Sequence, residues 1–330
     1  VVLFNLLFIN ILLMAQAKTP NYDIVVALEG SGDYTKVQDA INAVPDNSTD
    51  RTVIYIKPGI YKEKLLIPAK KIKVTLLGSS FETTILTFDD HAKINPDYAS
   101  TRINGEDFFA ENVTFQNTID SRKGGSQAAA LRVDADRAIF HKCKITGFQD
   151  TFYLKTNTRS YIKECIIDGT TDFIYGSGIA LFENCIIRNK KDSHITASSQ
   201  QNGKNKFGFV FKDCKIIKYP GENVSNASLG RPWQNGANTV YLNCDIGSHI
   251  RPEGFATWST NPEHKYFHNI ETAFFALYHC TGDGYKPDSL HSAVHILTDS
   301  QAEQYQKENI FAENSTKAID LIGDWNPKIK

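Results

Sequence analysis

The chain has 330 residues, a formal net charge of −1 and 41% hydrophobic residues, with 20 Phe and 14 Tyr among its aromatics. A near-neutral balance excludes the general basic field that draws in nucleic acid, and the apolar content is ample for a large buried core. The length alone points to roughly two domains, unless internal repeats set the architecture instead.

Val1 to Met14 is almost wholly apolar and is followed by Ala15-Gln16-Ala17, a small-residue cleavage site. Residues 1–17 therefore read as a secretory signal peptide, without the usual positive residues before it, and imply a secreted or periplasmic protein with no stable membrane association. The apolar run is too short for a comfortable span. Residues 18–330 are expected to form one domain. The first stretch, 18–34, is extended and ends in Gly30-Ser31-Gly32-Asp33. Thr35 to Gln38 reads as a capping box, and Val37, Ala40, Ile41 and Val44 make one face of a short helix that Pro45 ends. Such a helix is a natural lid for the first coil of a solenoid.

From Arg51 the period becomes that of strands, with runs at 52–56, 64–67 and 72–77 between Pro, Gly and Ser breaks. Six segments then share one frame: FFAENVTFQN, AIFHKCKITG, SYIKECIIDG, ALFENCIIRN, FVFKDCKIIK and TVYLNCDIGS. Cys143, Cys165, Cys185, Cys214 and Cys244 hold one slot, Asn112 is read into it on the first segment, and the spacings are 31, 22, 20, 29 and 30. Constant strands joined by loops of varying length describe an all-β, right-handed parallel β-helix with short capping helices at its ends. The slot cysteines then stack inside as free thiols rather than disulfides, with Cys280 outside the series. After Pro252 the pattern loosens into an aromatic-rich stretch. Thr298 to Gln301 is a second capping box, and the C-terminal helix and tail to Trp325 are expected to pack along the outside of the coils.

The chemistry is expected where two copies of the frame meet. Asp150 and Asp172 each fall seven residues after a slot cysteine, 22 residues apart. The shared offset sets them in one register on adjacent coils, where parallel strands lie ~4.8 Å apart. Two carboxylates that close do not both ionise easily, so one is a nucleophile and the other a proton donor. The same spacing also fits two solvated turn aspartates. Gln127 and Gln149 could donate hydrogen bonds to an oxyanion, Arg231 could hold a carboxylate ionised, and Trp233 offers a face for a sugar ring. Each of these, taken singly, also fits a surface or packing role.

The segments GIYKEK (59–64), QAAALR (127–132), GFQDTFY (147–153), DGTTDFIYG (168–176) and LGRPW (229–233) resemble, in order, the motifs of the pectin methylesterases, over nearly all of Tyr22 to Trp325. HIRPEGF (249–255) and the LTDSQAEQY helix look more like bacterial members than plant ones. The resemblance implies Asp172 as nucleophile, Asp150 as general acid and then base, Gln127 and Gln149 as the oxyanion hole, Arg231 as the group that fixes the nucleophile, and Trp233 as sugar platform. It also places Tyr175, and with it Trp258, along the cleft. Thr171, Tyr175 and Ser177-Gly178 depart from the family's usual residues and bear on the preferred methylation pattern, not on the reaction.

The implied substrate is methyl-esterified homogalacturonan, hydrolysed by a monomer through an aspartyl acyl-enzyme with release of methanol. No metal or other cofactor is expected: the histidine pairs at i, i+4 lack an HExxH frame. Three alternatives remain open at this stage. One is another β-helical pectin enzyme, a lyase or a glycosidase, and for the lyase Asp89-Asp90 is the only adjacent aspartate pair. The others are a non-catalytic carbohydrate-binding β-helix and a family member acting on a different ester.

Overall fold

The computed structural model describes residues 22–199, 205–265, 267, 269–313 and 323–329. The expected signal peptide lies outside these residues. Every strand pairing within the sheets is parallel, and the strands fall into sheets of 11, 8 and 7 members, visited in rotation from Thr52–Ile56 to Asp245–Ile246. One coil runs Ala138–His141, Lys144–Thr146, Phe152–Leu154, and the next runs Arg159–Lys163, Ile166–Gly169, Ile174–Gly176. The result is a right-handed parallel β-helix.

The interior is one continuous column of buried apolar side chains. Inward residues at equal register stack from coil to coil. Phe182 and Phe211 lie 4.4 Å apart at 9°, and Phe211 and Tyr241 lie 4.5 Å apart at 7°. The Tyr241 hydroxyl is satisfied inside this column by the Leu229 carbonyl at 2.8 Å. All six cysteines are buried and free, as the repeat predicts for the five in its slot.

Two details of the slot differ from the sequence reading. Phe109 pairs with Ile139 and Thr114 with Lys144, so Val113, not Asn112, lies opposite Cys143. The true spacing at the first coil is thus one residue shorter. Cys280 belongs to the series, because Leu242 pairs with Tyr278 and the two residues that follow each bring Cys244 opposite Cys280. Asn112 instead occupies the turn between the first and second sheets. There it shares a left-handed backbone with Lys142, Glu164, Asn184, Asp213, Asn243 and His279, with φ between 45° and 57°. Such a conformation costs an L-residue roughly 1–2 kcal/mol, least for Asn and Asp. On Lys142 and Glu164 the coil-to-coil hydrogen bonds from their own N–H groups, to Lys163 O and Glu183 O, hold it in place.

The first helix, Val37–Ala43, buries Val37, Ala40 and Ile41 over the end of the column. The expected Thr35 box does not form. Tyr34 is still bridged to Val26, and the extended chain persists to Lys36, which is the N-cap and makes no side-chain cap. The cap comes from the next coil: the Val37 and Gln38 N–H groups donate to the Glu63 carboxylate at 2.9 and 3.1 Å. A carboxylate at a helix start satisfies orphan donors and complements the dipole. The Thr298–Gln301 box does form, but the helix it opens is short, Asp299–Ala302, and is followed by separate turns at Glu303–Tyr305 and Lys307–Ile310.

These C-terminal segments lie on the outer face of the first sheet, where Tyr305, Ile310 and Phe311 pack against Tyr161, Ile179, Val210 and Val240. Arg159, with no exposed surface, fastens them. Its Nη1 donates to the carbonyls of Phe311 (2.9 Å) and Gly323 (2.7 Å), and Asp136 neutralises it at 2.7 Å.

Glu63→Ala removes the carboxylate that accepts the Val37 and Gln38 N–H groups at the first helix start. We expect a loss of about 1 kcal/mol, read as a lower urea midpoint at unchanged slope. An unchanged midpoint would show that the cap contributes nothing.

Candidate active site

The loops that enter the third sheet build one wall of a cleft, and the outward face of that sheet is its floor. Phe152 pairs with Ile174. Two residues earlier, Asp150 therefore lies opposite Asp172 on adjacent coils. Both have left-handed backbones, φ 61° and 51°, and both keep the ladder: Asp150 N–H donates to Thr171 O at 3.0 Å and Asp172 N–H to His194 O at 2.8 Å. Non-glycine residues in this region are uncommon, and aspartate tolerates it better than most.

The two carboxylates have different partners. Arg231 grips Asp172 through both of its forks, Nε to Oδ1 at 3.0 Å and Nη2 to Oδ2 at 2.6 Å. The guanidinium is itself covered by the Trp258 ring, 4.0 Å from the centroid. Among the described residues the Asp150 carboxyl has neither a hydrogen-bond nor an ionic partner. Burial pushes its pKa well above the usual carboxylate range, the Asp172 charge adds to this, and Arg231 opposes it. Burial raises Asp172 as well, but there the Arg231 hydrogen bonds and charge directly counter the rise. The asymmetry makes Asp172 the group favoured as a carboxylate and Asp150 the group favoured as an acid.

Leu131 pairs with Phe152. Gln149 therefore faces Ala128, and the two glutamines lie on neighbouring coils one residue out of register. Their main chains are fixed: Gln127 O accepts from Ala92 N–H at 2.9 Å and Gln149 O from Ala128 N–H at 3.1 Å. Neither side-chain amide has a partner among the described residues. Along the floor, Tyr153 and Tyr175 have centroids 4.9 Å apart and Tyr175 and Trp233 6.1 Å apart, an aromatic row of the kind that receives sugar faces.

A cleft of about 510 Å³ is lined by Gln127, Gln149, Asp150, Asp172, Tyr175, Arg231, Trp233 and Trp258, together with Tyr98, Ala92 and Ala197. Every site residue read from the sequence is in it. Tyr98 was not foreseen. It comes from the loop Asp89–Ser100, which belongs to no repeat, and its hydroxyl meets that of Tyr175 at 3.2 Å. Only the presence of a long loop before a strand could have hinted at it.

The Asp89-Asp90 pair is occupied by lysines, Lys62 at 2.8 Å and Lys64 at 2.5 Å, and Asp90 also accepts from Asn95 at 2.8 Å. It organises this loop and does not form an open acidic cluster. Among the described residues no group of three potential His, Cys, Asp or Glu metal ligands comes together.

The family profile named Pectinesterase matches residues 23–314. Pectinesterase 31 of Arabidopsis thaliana is 38% identical over 273 residues, 78% of this chain and 82% of that protein. Of several longer plant relatives the chain spans less than half, 44–48% of their length. The carrot pectin methylesterase superposes with a TM-score of 0.82 at 29% identity, covering 89% of this chain and 94% of that one. For the enzyme of Erwinia chrysanthemi the values are 0.75 and 26%, with 94% and 99% covered. A β-helix of this kind with these relatives is a carboxylic ester hydrolase. The chain belongs to the pectinesterase family, whose reaction is removal of methyl esters from pectin. The bacterial leaning read into HIRPEGF and LTDSQAEQY is not supported, since curated relatives at this level of identity are plant enzymes.

A carboxyl with a folded pKa above its unfolded value costs stability at higher pH. Between the two values the unfolded chain ionises while the folded one stays protonated, so the cost grows with pH and then levels off. Asp150→Asn should therefore melt higher than the parent at pH 7. The gain should vanish as the pH falls below about 4. A melting-temperature gain equal at pH 4 and pH 7 would rule out this cause.

Proposed function

We propose that the chain hydrolyses the C6 methyl ester of galacturonate units in homogalacturonan through an aspartyl acyl-enzyme, with the roles divided as the charges divide. The observation that carries this reading is the two-pronged Arg231–Asp172 pair beside an Asp150 that has no cationic partner of its own.

The Asp172 carboxylate attacks the ester carbonyl carbon. The oxyanion that develops takes hydrogen bonds from the free amides of Gln127 and Gln149. Collapse breaks the bond to the methoxy oxygen, which receives the Asp150 proton and leaves as methanol. The acyl group now sits on Asp172 as an anhydride. Asp150, ionised, takes a proton from water as that water attacks, and Asp172 is released as a carboxylate while Asp150 regains its proton. Arg231 stabilises the carboxylate at the start and at the end, and its Trp258 cover keeps that charge out of bulk water. Trp233 and Tyr175 present the flat faces on which the sugar rings lie. Action outside the cytoplasm, after loss of residues 1–17, and as a monomer, belongs to the same reading.

The roles separate by leaving group. Asp172→Ala should abolish turnover on methyl and nitrophenyl esters alike. Asp150→Ala should lose turnover on the methyl ester but keep acylation by the nitrophenyl ester, whose alcohol departs unprotonated, read as a burst of nitrophenol ahead of slow hydrolysis of the acyl-enzyme. Gln127→Ala and Gln149→Ala should each lower kcat by ~10²–10³ with KM little changed. Recovery of Asp172→Ala by the better leaving group would reverse the assignment. Wild-type methanol release by both aspartate variants would remove the cleft from the reaction.

A further inference from the structure

Behind the wall that carries Gln149 and Asp150 lies a buried ionic cluster that the reaction above does not use. Asp168, with no exposed surface, accepts from Lys190 Nζ (2.5 Å), Arg188 Nη2 (2.5 Å) and Thr146 Oγ1 (2.5 Å). Asp168 opens the DGTTDFIYG stretch, and no step of the chemistry calls on it. Burial disfavours its charge, but Lys190, Thr146 and Arg188 outweigh that and hold its carboxyl below the usual range. Burial in turn lowers Lys190, against the pull of Asp168.

An apolar pair of similar volume would commonly be as stable as a buried ion pair, so stability alone is a weak reason for one. What an ammonium supplies is three donors from a single point. Lys190 Nζ uses them on Asp168, on Thr146 Oγ1 at 3.1 Å and on the carbonyl of Gly147 at 2.8 Å. Gly147 is the first residue of the turn Gly147-Phe148-Gln149-Asp150. The same ammonium sits 4.9 Å from the Phe148 ring centroid, and Arg122 approaches that ring at 5.1 Å. The rest of the turn is held by main-chain bonds and by the adjacent Thr151 hydroxyl. Phe148 O accepts from Thr170 N–H at 2.9 Å and from Thr151 Oγ1 at 3.0 Å, and Gln149 O accepts from Ala128 N–H. Lys190 therefore supplies the side-chain anchor at the start of the turn, two residues before the oxyanion amide and three before the acid.

We propose that Lys190, held by Asp168, is a positioning residue: it fixes the Gly147 carbonyl and the Phe148 ring so that the Gln149 amide stands where the oxyanion forms. The proposal rests on Gln149 acting as an oxyanion donor. A donor that stabilises only the transition state is sensitive to placement, and an error of 1 Å can cost about 10²-fold.

The test uses the full-length enzyme and methanol release from highly methylated pectin. The double variant Asp168→Asn/Lys190→Met removes both charges and leaves no unpaired lysine or aspartate. Phe148→Leu, which keeps the ion cluster intact, is the second probe should the double variant not fold. Each should lower kcat, by roughly 10- to 100-fold for the double variant, with KM within about twofold. The decisive readout is coupling. In a Gln149→Ala background neither change should lower kcat further, because the group they position is gone. Additive losses in that background, or an unchanged kcat in the parent, would overturn the proposal. A Gln149→Ala enzyme with normal kcat would instead show that the oxyanion reading is wrong, and the role given to Lys190 would fall with it.

Discussion

Parallel register between coils is the constraint on which everything else here depends. In a β-helix the residue that matters to any side chain is the one at the same register a coil away, ~4.8 Å off, and not its neighbour in sequence. That rule stacks Phe182, Phe211 and Tyr241 into a column and lines the slot cysteines up inside. It also sets Asp150 beside Asp172 with no local feature to announce the pair. A one-residue slip in either coil would turn one carboxylate away from the other and expose inward residues to solvent. The core and the site are therefore specified by the same pairing, and the core's many contacts fix the geometry that the chemistry needs.

The repeat made this legible. The seven-residue offset from Cys143 and Cys165 was enough to place the aspartates, because offset is preserved wherever register is. On its first segment the sequence frame runs one residue early and puts Asn112 where Val113 points inward. Asn is a frequent left-handed turn former, and that is the position it holds; but Lys142 and Glu164 hold it on other coils, so composition gave no consistent sign of the turn. Cys280 was missed for the opposite reason. The aromatic-rich insertion before it hides a spacing that the pairing of Leu242 with Tyr278 restores. The Thr35 box failed because a local pattern cannot see Glu63 arriving from the next coil. Tyr98 lies on a loop without a repeat, where only the loop's length marks it in the sequence.

Charge in the cleft is managed by what surrounds each ion more than by how many there are. Arg231 is committed to Asp172 on one side and covered by an indole on the other, so it neutralises without being drawn off into solvent. Asp150 is left without such a partner, and burial then favours its acid form. The GIYKEK stretch contributes at a distance, Glu63 closing the end of the column and Lys64 holding Asp90 at the root of the loop that carries Tyr98. Lys64 does not line the cleft, yet through Asp90 and the Asp97 carbonyl it holds the loop that brings Tyr98 to it.

The fastening of the C-terminal segments by Arg159 has a consequence for how the molecule comes together. A solenoid with nearest-neighbour contacts alone folds and frays coil by coil, and its ends open independently of its middle. Here a single guanidinium in mid-ladder ties the middle coils to carbonyls 152 and 164 residues further along the chain. That closure raises the contact order and couples the fate of the central coils to residues far along the chain. A chain made only as far as the end of the ladder holds Arg159 and its Asp136 partner on an unfinished surface until Phe311 and Gly323 arrive to cover them.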